Sequence, residues 1–185
     1  MRNSIALALL LCLGLAAANP LAAQQPRLSP HETISKVVDK NRVTIVYGRP
    51  YMKSPKTGEV RTVWGGTLVP PDAVWRLGSD EATLLITQKA IVLGGVSIPA
   101  GAYTLCLFEA ANGSAKLIVN KALGQWGIPY TQESQELARI DLTKETLDAS
   151  AEQFTMKLEA VKGGGGKLSL AWDTTQFSVP FTLAK

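Results

Sequence analysis

Apolar and polar residues alternate with period two along most of the chain. Phe154, Met156 and Leu158 alternate with Thr155, Lys157 and Glu159; Leu168, Leu170 and Trp172 alternate with Lys167, Ser169 and Ala171; Phe177, Val179, Phe181 and Leu183 follow the same rule. Successive side chains of a strand point to opposite faces, so this pattern predicts strands with one face in a core and one in solvent. Val43, Ile45 and Tyr47 repeat it near the start, and Ile140 and Leu142 repeat it between Arg139, Asp141 and Thr143. No stretch of comparable length carries the apolar stripe of an amphipathic helix. Tyr103, Leu105 and Leu107 alternate with Cys106 and Phe108, which predicts a strand covered on both faces.

The turn residues agree with the strands. Gly94-Gly95 and Asn112-Gly113 supply the positive φ of tight hairpins, and Pro99-Ala100-Gly101 marks a further reversal. Residues 82–120 are therefore expected to form an antiparallel meander. Residues 163–166, four glycines, read as a flexible hairpin tip, because a phosphate cradle needs a following helix and a strand follows here. Pro180 fits an edge strand with one unneeded N–H. About ten short strands, with turn signals roughly every 8 to 12 residues, predict an all-β antiparallel sandwich, jelly-roll-like or a partly closed barrel. Residues 48–71 and 122–135 escape the strand pattern. Loops of that length are usually functional or disordered, and their aromatic residues argue that they pack down.

The first residues read as an export signal. Arg2 gives a positive start, residues 5–15 are apolar, and an Ala-rich stretch with Asn19 and Pro20 follows. The apolar run is shorter than the roughly 20 residues a bilayer requires, which argues against an integral membrane protein. Two cleavage points compete: residues 16–18 fit the small-x-small rule, whereas residues 21–23 place the larger Leu21 at its first position; a mature start near Gln24 is favoured, giving a signal over residues 1–23 and a single domain over residues 24–185. A periplasmic or extracellular location follows. Cys12 leaves with the signal, so Cys106 stands alone and reads as a buried, inert thiol. The formal net charge of +4 is spread along the chain without a basic stripe, which excludes the usual nucleic-acid signature.

These residues also carry a resemblance. The opening Ser29-Pro30, the strand into Tyr47-Gly48-Arg49-Pro50, the segment Arg61-Thr62-Val63-Trp64-Gly65 and Leu68-Val69-Pro70 come in order. They are followed by Trp75-Arg76-Leu77-Gly78 into Glu81-Ala82-Thr83, by Ile98-Pro99-Ala100-Gly101, by Gly124-Gln125-Trp126-Gly127, and by Leu170-Ala171-Trp172 through Val179-Pro180-Phe181. From about Ser29 to Leu183 the chain resembles domain of unknown function family 2911, found in exported bacterial proteins. The resemblance implies an all-β exported domain of undetermined activity. The chain departs from the family's usual residues at Gly48, where Ser is common, and at Ser79-Asp80, where Ala-Asn is common.

Candidate chemistry concentrates in Val-Trp-Arg-Leu-Gly-Ser-Asp-Glu-Ala-Thr, residues 74–83. The single His, His31, lacks the partners that zinc sites collect, and Asp80 with Glu81 lacks the calcium-loop spacing, so neither a metal nor another cofactor is expected. No GxSxG elbow occurs, and a Ser or Cys nucleophile would have only His31 as its base. Two carboxyls flanking a cleft suffice for a glycosidase. Glu81 therefore stands as the catalytic candidate if the protein is an enzyme, paired with a distant carboxylate or with Asp80 if the two share a turn.

Two readings of the remaining polar residues stand side by side. In one, Arg49, Arg76 and Glu81 form ion pairs that tie loops to the sandwich. In the other, Arg49, Lys53, Arg76, Glu81, Gln125 and Trp126 form a ligand site, with Trp64, Trp75 or Trp126 as a flat apolar face; the Trp residues fit a core equally well. The expected function is an exported envelope domain that binds a small-molecule or glycan ligand, a role that does not require catalysis. The alternatives are a carboxylate-dependent hydrolase acting on envelope carbohydrate, and an interaction or structural module with an exposed sheet edge or apolar patch.

Overall fold

A computed structural model describes residues 27–185; the export signal expected over residues 1–23 lies outside them. The described residues form eleven strands: β1 (His31–Val38), β2 (Asn41–Gly48), β3 (Ala73–Trp75), β4 (Thr83–Thr87), β5 (Ile91–Leu93), β6 (Val96–Ile98), β7 (Gly101–Glu109), β8 (Ala115–Asn120), β9 (Glu136–Asp141), β10 (Thr143–Ala160) and β11 (Gly166–Leu183). One sheet runs β1-β2-β4-β7-β8-β9, with β3 added on β7, and the other runs β10-β11-β5-β6. All strand pairings are antiparallel, and the sheets do not close into a barrel. No helix among the described residues is long and apolar enough to cross a membrane.

The alternating positions fill the core as the pattern requires. Phe154, Met156, Leu168, Leu170, Trp172, Phe177, Val179 and Phe181 are buried. Inward residues of β11 are even-numbered as far as Trp172 and odd-numbered from Phe177 onward. The change of phase falls at Asp173, which has φ 51° and pairs with Ala151 of β10 between two register shifts. Such an irregularity keeps both halves of an 18-residue strand facing the core. What the sequence presents as two short strands is therefore one long one.

Two further expectations need correction. Residues 82–120 do not form a meander: β4 pairs with β7, while the β5–β6 hairpin joins the opposite sheet along β11 through Phe181–Leu93 and Leu183–Ile91. Turn residues specify the hairpin, but only long-range packing decides which sheet edge receives it. Pro180 lies on an inner strand rather than an edge strand. It falls between Ser178, the last residue of β11 paired with β10, and Phe181, the first paired with β5, where no ladder bond needs its N–H.

At one end of the sandwich the core is aromatic. Trp75 stacks on Trp172 with ring centroids 5.6 Å apart, Phe154 meets the edge of Trp75 at 5.0 Å and Tyr47 at 5.7 Å, and Trp64 meets Phe177 at 5.1 Å. Trp64 and Trp75 are thus core residues, and Trp64 Nε1 donates to the carbonyl of Trp172 at 3.0 Å. On the outer face of β7 and β8, Cys106 and Ile118 are buried. The segment after β8 crosses that face: Thr104 Oγ1 donates to Ala122 O, and Asn120 Nδ2 donates to Tyr130 Oη and Gln132 O. Burial pushes the Cys106 thiol up to about 12, so it stays protonated and unreactive at neutral pH.

Candidate functional site

Strands β3 and β4 lie end to end along one edge of β7, Trp75 opposite Leu107 and Thr83 opposite Leu105. Residues 76–82 leave the sheet between them and return. Thr83 N donates to Arg76 O at 3.2 Å and Thr83 Oγ1 to Leu77 O at 2.6 Å, which closes the excursion at its base. Leu77 and Asp80 take φ of 58° and 63°. A left-handed Leu costs on the order of 1–3 kcal/mol, and full burial of its side chain offsets this. The turn at its tip carries Asp80 and Glu81 to the same side.

The excursion is held from two directions. Gly48 lies so close beneath it that a Cβ there would stand 2.2 Å from Ser79 O and 2.6 Å from Ser79 Oγ. On the other side the second long loop lies against it: Ala82 N donates to Gln125 O at 3.1 Å, and the Arg76 guanidinium sits 5.1 Å from the centre of the Trp126 ring. That distance is within cation–π range.

Arg76 and Glu81 do not pair. Glu81 instead accepts two hydrogen bonds from Arg27, 54 residues earlier, at 2.5 and 2.7 Å, while His31 Nε2 lies 3.1 Å from Asp80 Oδ2 and 3.7 Å from Glu81 Oε2. Among the described residues no cluster of three or more His, Cys, Asp or Glu side chains is placed for a metal ion; Arg27 already faces both carboxylates. Its hydrogen bonds hold the Glu81 carboxyl down at about 2. A general acid must keep its proton near neutral pH and a good base must bind one there. Held ionised by Arg27, Glu81 carries no proton to donate at neutral pH, and it anchors the N-terminal segment.

The anchor has a pH signature. Glu81 ionises more readily folded, at about 2, than its ordinary 4.5, so its contribution is complete above about pH 4.5 and lost as pH falls toward 2. The pair is exposed to solvent, whose screening keeps its contribution small. Thermal melts of Glu81→Gln should show a small deficit in Tm at pH 7 that closes across that window. A deficit unchanged at pH 2 would show that the residue acts through packing.

Arg49 serves β10. Its Nη2 donates to Thr155 Oγ1 at 2.9 Å and its Nε to Phe154 O at 3.2 Å, with Glu32 Oε2 at the same distance from Nε. Glu32 also accepts from Tyr47 Oη, which takes the Met156 N–H. Lys53 is exposed, and it is its main-chain N–H that reaches Glu152. Of the six residues expected to share a site, Arg76, Glu81, Gln125 and Trp126 gather around the excursion. Arg49 lines a separate cavity with Thr155 and Glu32, and Lys53 stands apart in the first loop.

Two concave surfaces are lined by residues of the excursion, and a third adjoins one of them. One of about 300 Å³ is lined by Arg27, His31, Glu81 and Gln125. The other two, of about 280 and 530 Å³, share Thr67, Leu68, Trp75 and Ile128 and form the inner and outer parts of one groove between the long loops. The inner part reaches Arg76, Ser79 and Trp172. Sequence reasoning missed Ser79, Trp172 and Ile128 as site residues: Trp172 reads as a core position of an alternating strand, and Ile128 as an ordinary loop residue. Only its exposure beside the groove distinguishes Ile128. No curated protein and no solved structure matches the chain significantly. The profile of one family, described as "Protein of unknown function (DUF2911)", matches residues 29–181, and the chain belongs to that family.

Proposed function

We propose that this chain is an exported binding domain whose ligand occupies the groove between the two long loops. The signal-like residues 1–23 support export. The observation that carries the binding role is the groove's margin, where Leu28 and Ile128 are 54% and 50% exposed, with Trp126, 56% exposed, on the neighbouring Arg76. Leu28 and Ile128 line the inner part, and Trp126 covers Arg76 beside it. Large apolar side chains grouped on a concave surface mark a place where something else is covered. Burying such a side chain gains about 1.5–3 kcal/mol. The volumes of about 280 and 530 Å³ lie toward the small end of ligand pockets, which run from roughly 300 to 1,000 Å³. A sugar ring or another compact organic body fits such a surface.

The test uses protein recovered from a periplasmic extract, whose first residue is expected near Gln24. Thermal-shift titration with small sugars and aromatic compounds should yield a ligand that raises the melting temperature. At 100 times its Kd the ligand adds ~2.7 kcal/mol of apparent stability. Ile128→Asp, at an exposed position, should abolish the shift while leaving the fold intact. A shift of equal size in that variant would remove the groove as the site.

A further inference from the structure

We infer that the inner part of the groove receives a carboxylate. This rests on the binding role proposed above and adds the chemical class of the ligand. Among the described residues, Arg76 Nε, Ser79 Oγ and Trp172 Nε1 are buried polar atoms with no hydrogen-bond partner, and all three residues line the cavity of about 280 Å³. Trp172 is only 1% exposed. Leaving one buried donor unpaired costs about 1–3 kcal/mol, and folded interiors seldom do so. Three around one cavity indicate a set that a ligand completes. Arginine and indole N–H groups only donate, and a Ser hydroxyl can do either. The ligand group is therefore an acceptor.

Its charge follows from the lining. Arg61 and Arg76 are the only ionisable residues in that lining, which holds no Asp or Glu. Arg61 Nη2 and Nε donate to the carbonyls of Tyr51 and Met52. The Arg76 side chain makes no hydrogen bond or ion pair among the described residues, and the nearby carboxylates are held by Arg27 and His31. Burial lowers the Arg76 pKa below its ordinary range, while Asp80 and Glu81 nearby act to raise it. A neutral sugar would leave that cation unmatched. A phosphate would bring a second charge among Pro50, Leu68 and Ile128 with no further free guanidinium to face it. A carboxylate brings one charge and two coplanar oxygens, enough for the two N–H donors and the hydroxyl.

Titration calorimetry on the purified protein tests this with benzoate, galacturonate and N-acetylalanine, each against its neutral counterpart benzamide, galactose or N-acetylalaninamide, and with inorganic phosphate. At least one acid should bind about tenfold or more tightly than its neutral counterpart. Which acid wins distinguishes a free acid, a sugar acid and a chain-end carboxylate. Arg76→Gln should erase the preference of acid over neutral compound. Trp172→Phe, which keeps the aromatic floor and removes Nε1, should weaken the acid severalfold; it carries the test alone if Arg76→Gln fails to fold. Equal binding of acid and neutral compound, a preference for phosphate, or a preference that survives Arg76→Gln would overturn the inference. Neutral binding lost in Ile128→Asp, without any acid preference, removes the carboxylate but keeps the groove. Failure of every probe below about 10 mM removes both.

Discussion

Phe154→Ala is expected to lower the unfolding free energy by about 3–5 kcal/mol, the usual cost of emptying a buried aromatic site. Phe154 has no exposed surface and touches the rings of Tyr47, Trp75 and Trp172. The loss therefore combines the transfer of a large apolar group with aromatic edge contacts worth about 0.5–1.5 kcal/mol each. Rigid strands surround the ring on both sides, so the cavity cannot collapse fully. The main chain of Phe154 also holds the first long loop, through its N–H to Pro50 O at 2.9 Å and its carbonyl to Arg49. Chemical denaturation should show a lower midpoint with an unchanged slope. A loss below about 1 kcal/mol would mean that the aromatic cluster is not where the two sheets lock.

The second large effect lies at Gly127. This residue has φ 84°, and a Cβ there would meet Arg76 Cβ at 2.7 Å and Ala82 Cβ at 3.0 Å. Gly127→Ala therefore combines left-handed backbone strain of about 1 kcal/mol with overpacking of about 1–3 kcal/mol. The second loop must lift, and Trp126 must leave Arg76. Gly124 offers the control, since its φ of 69° carries the same backbone cost with nothing within 4 Å of a Cβ. Gly127→Ala should lose clearly more stability than Gly124→Ala and should weaken ligand binding in the groove. Equal losses in the two variants would show that the loop does not rest on the excursion.

Much of the strand framework was legible before any coordinate. Period two depends only on the geometry of a single strand, so Phe154 and Met156, or Leu168 and Leu170, can be assigned to one face without knowing the partner strand. The hairpins at Gly94-Gly95 and Asn112-Gly113 are equally local, because positive φ is a property of the residue itself. Sheet membership was not legible. Hairpin β5–β6 pairs with residues about 90 positions away, and nothing within it distinguishes β11 from β4. The bulge at Asp173 was visible only as a phase change between two apparent strands.

The candidate site divides along the same line. Residue types alone marked residues 74–83 and the second long loop, because Arg, Asp and Glu beside Trp and apolar strand stand out against plain alternation. Pairing among those charges was beyond the sequence. Ionic partners are set by where the chain brings them, and Arg27 reaches Glu81 across 54 residues once β1 is seated on β2. Arg76, with no ion pair of its own, lies against Trp126 and lines the groove. The sequence by itself determined an all-β chain with two long aromatic loops and a polar excursion. Only the tertiary structure decided which charges cancel and which donors stay open, because burial and proximity are properties of the packed fold.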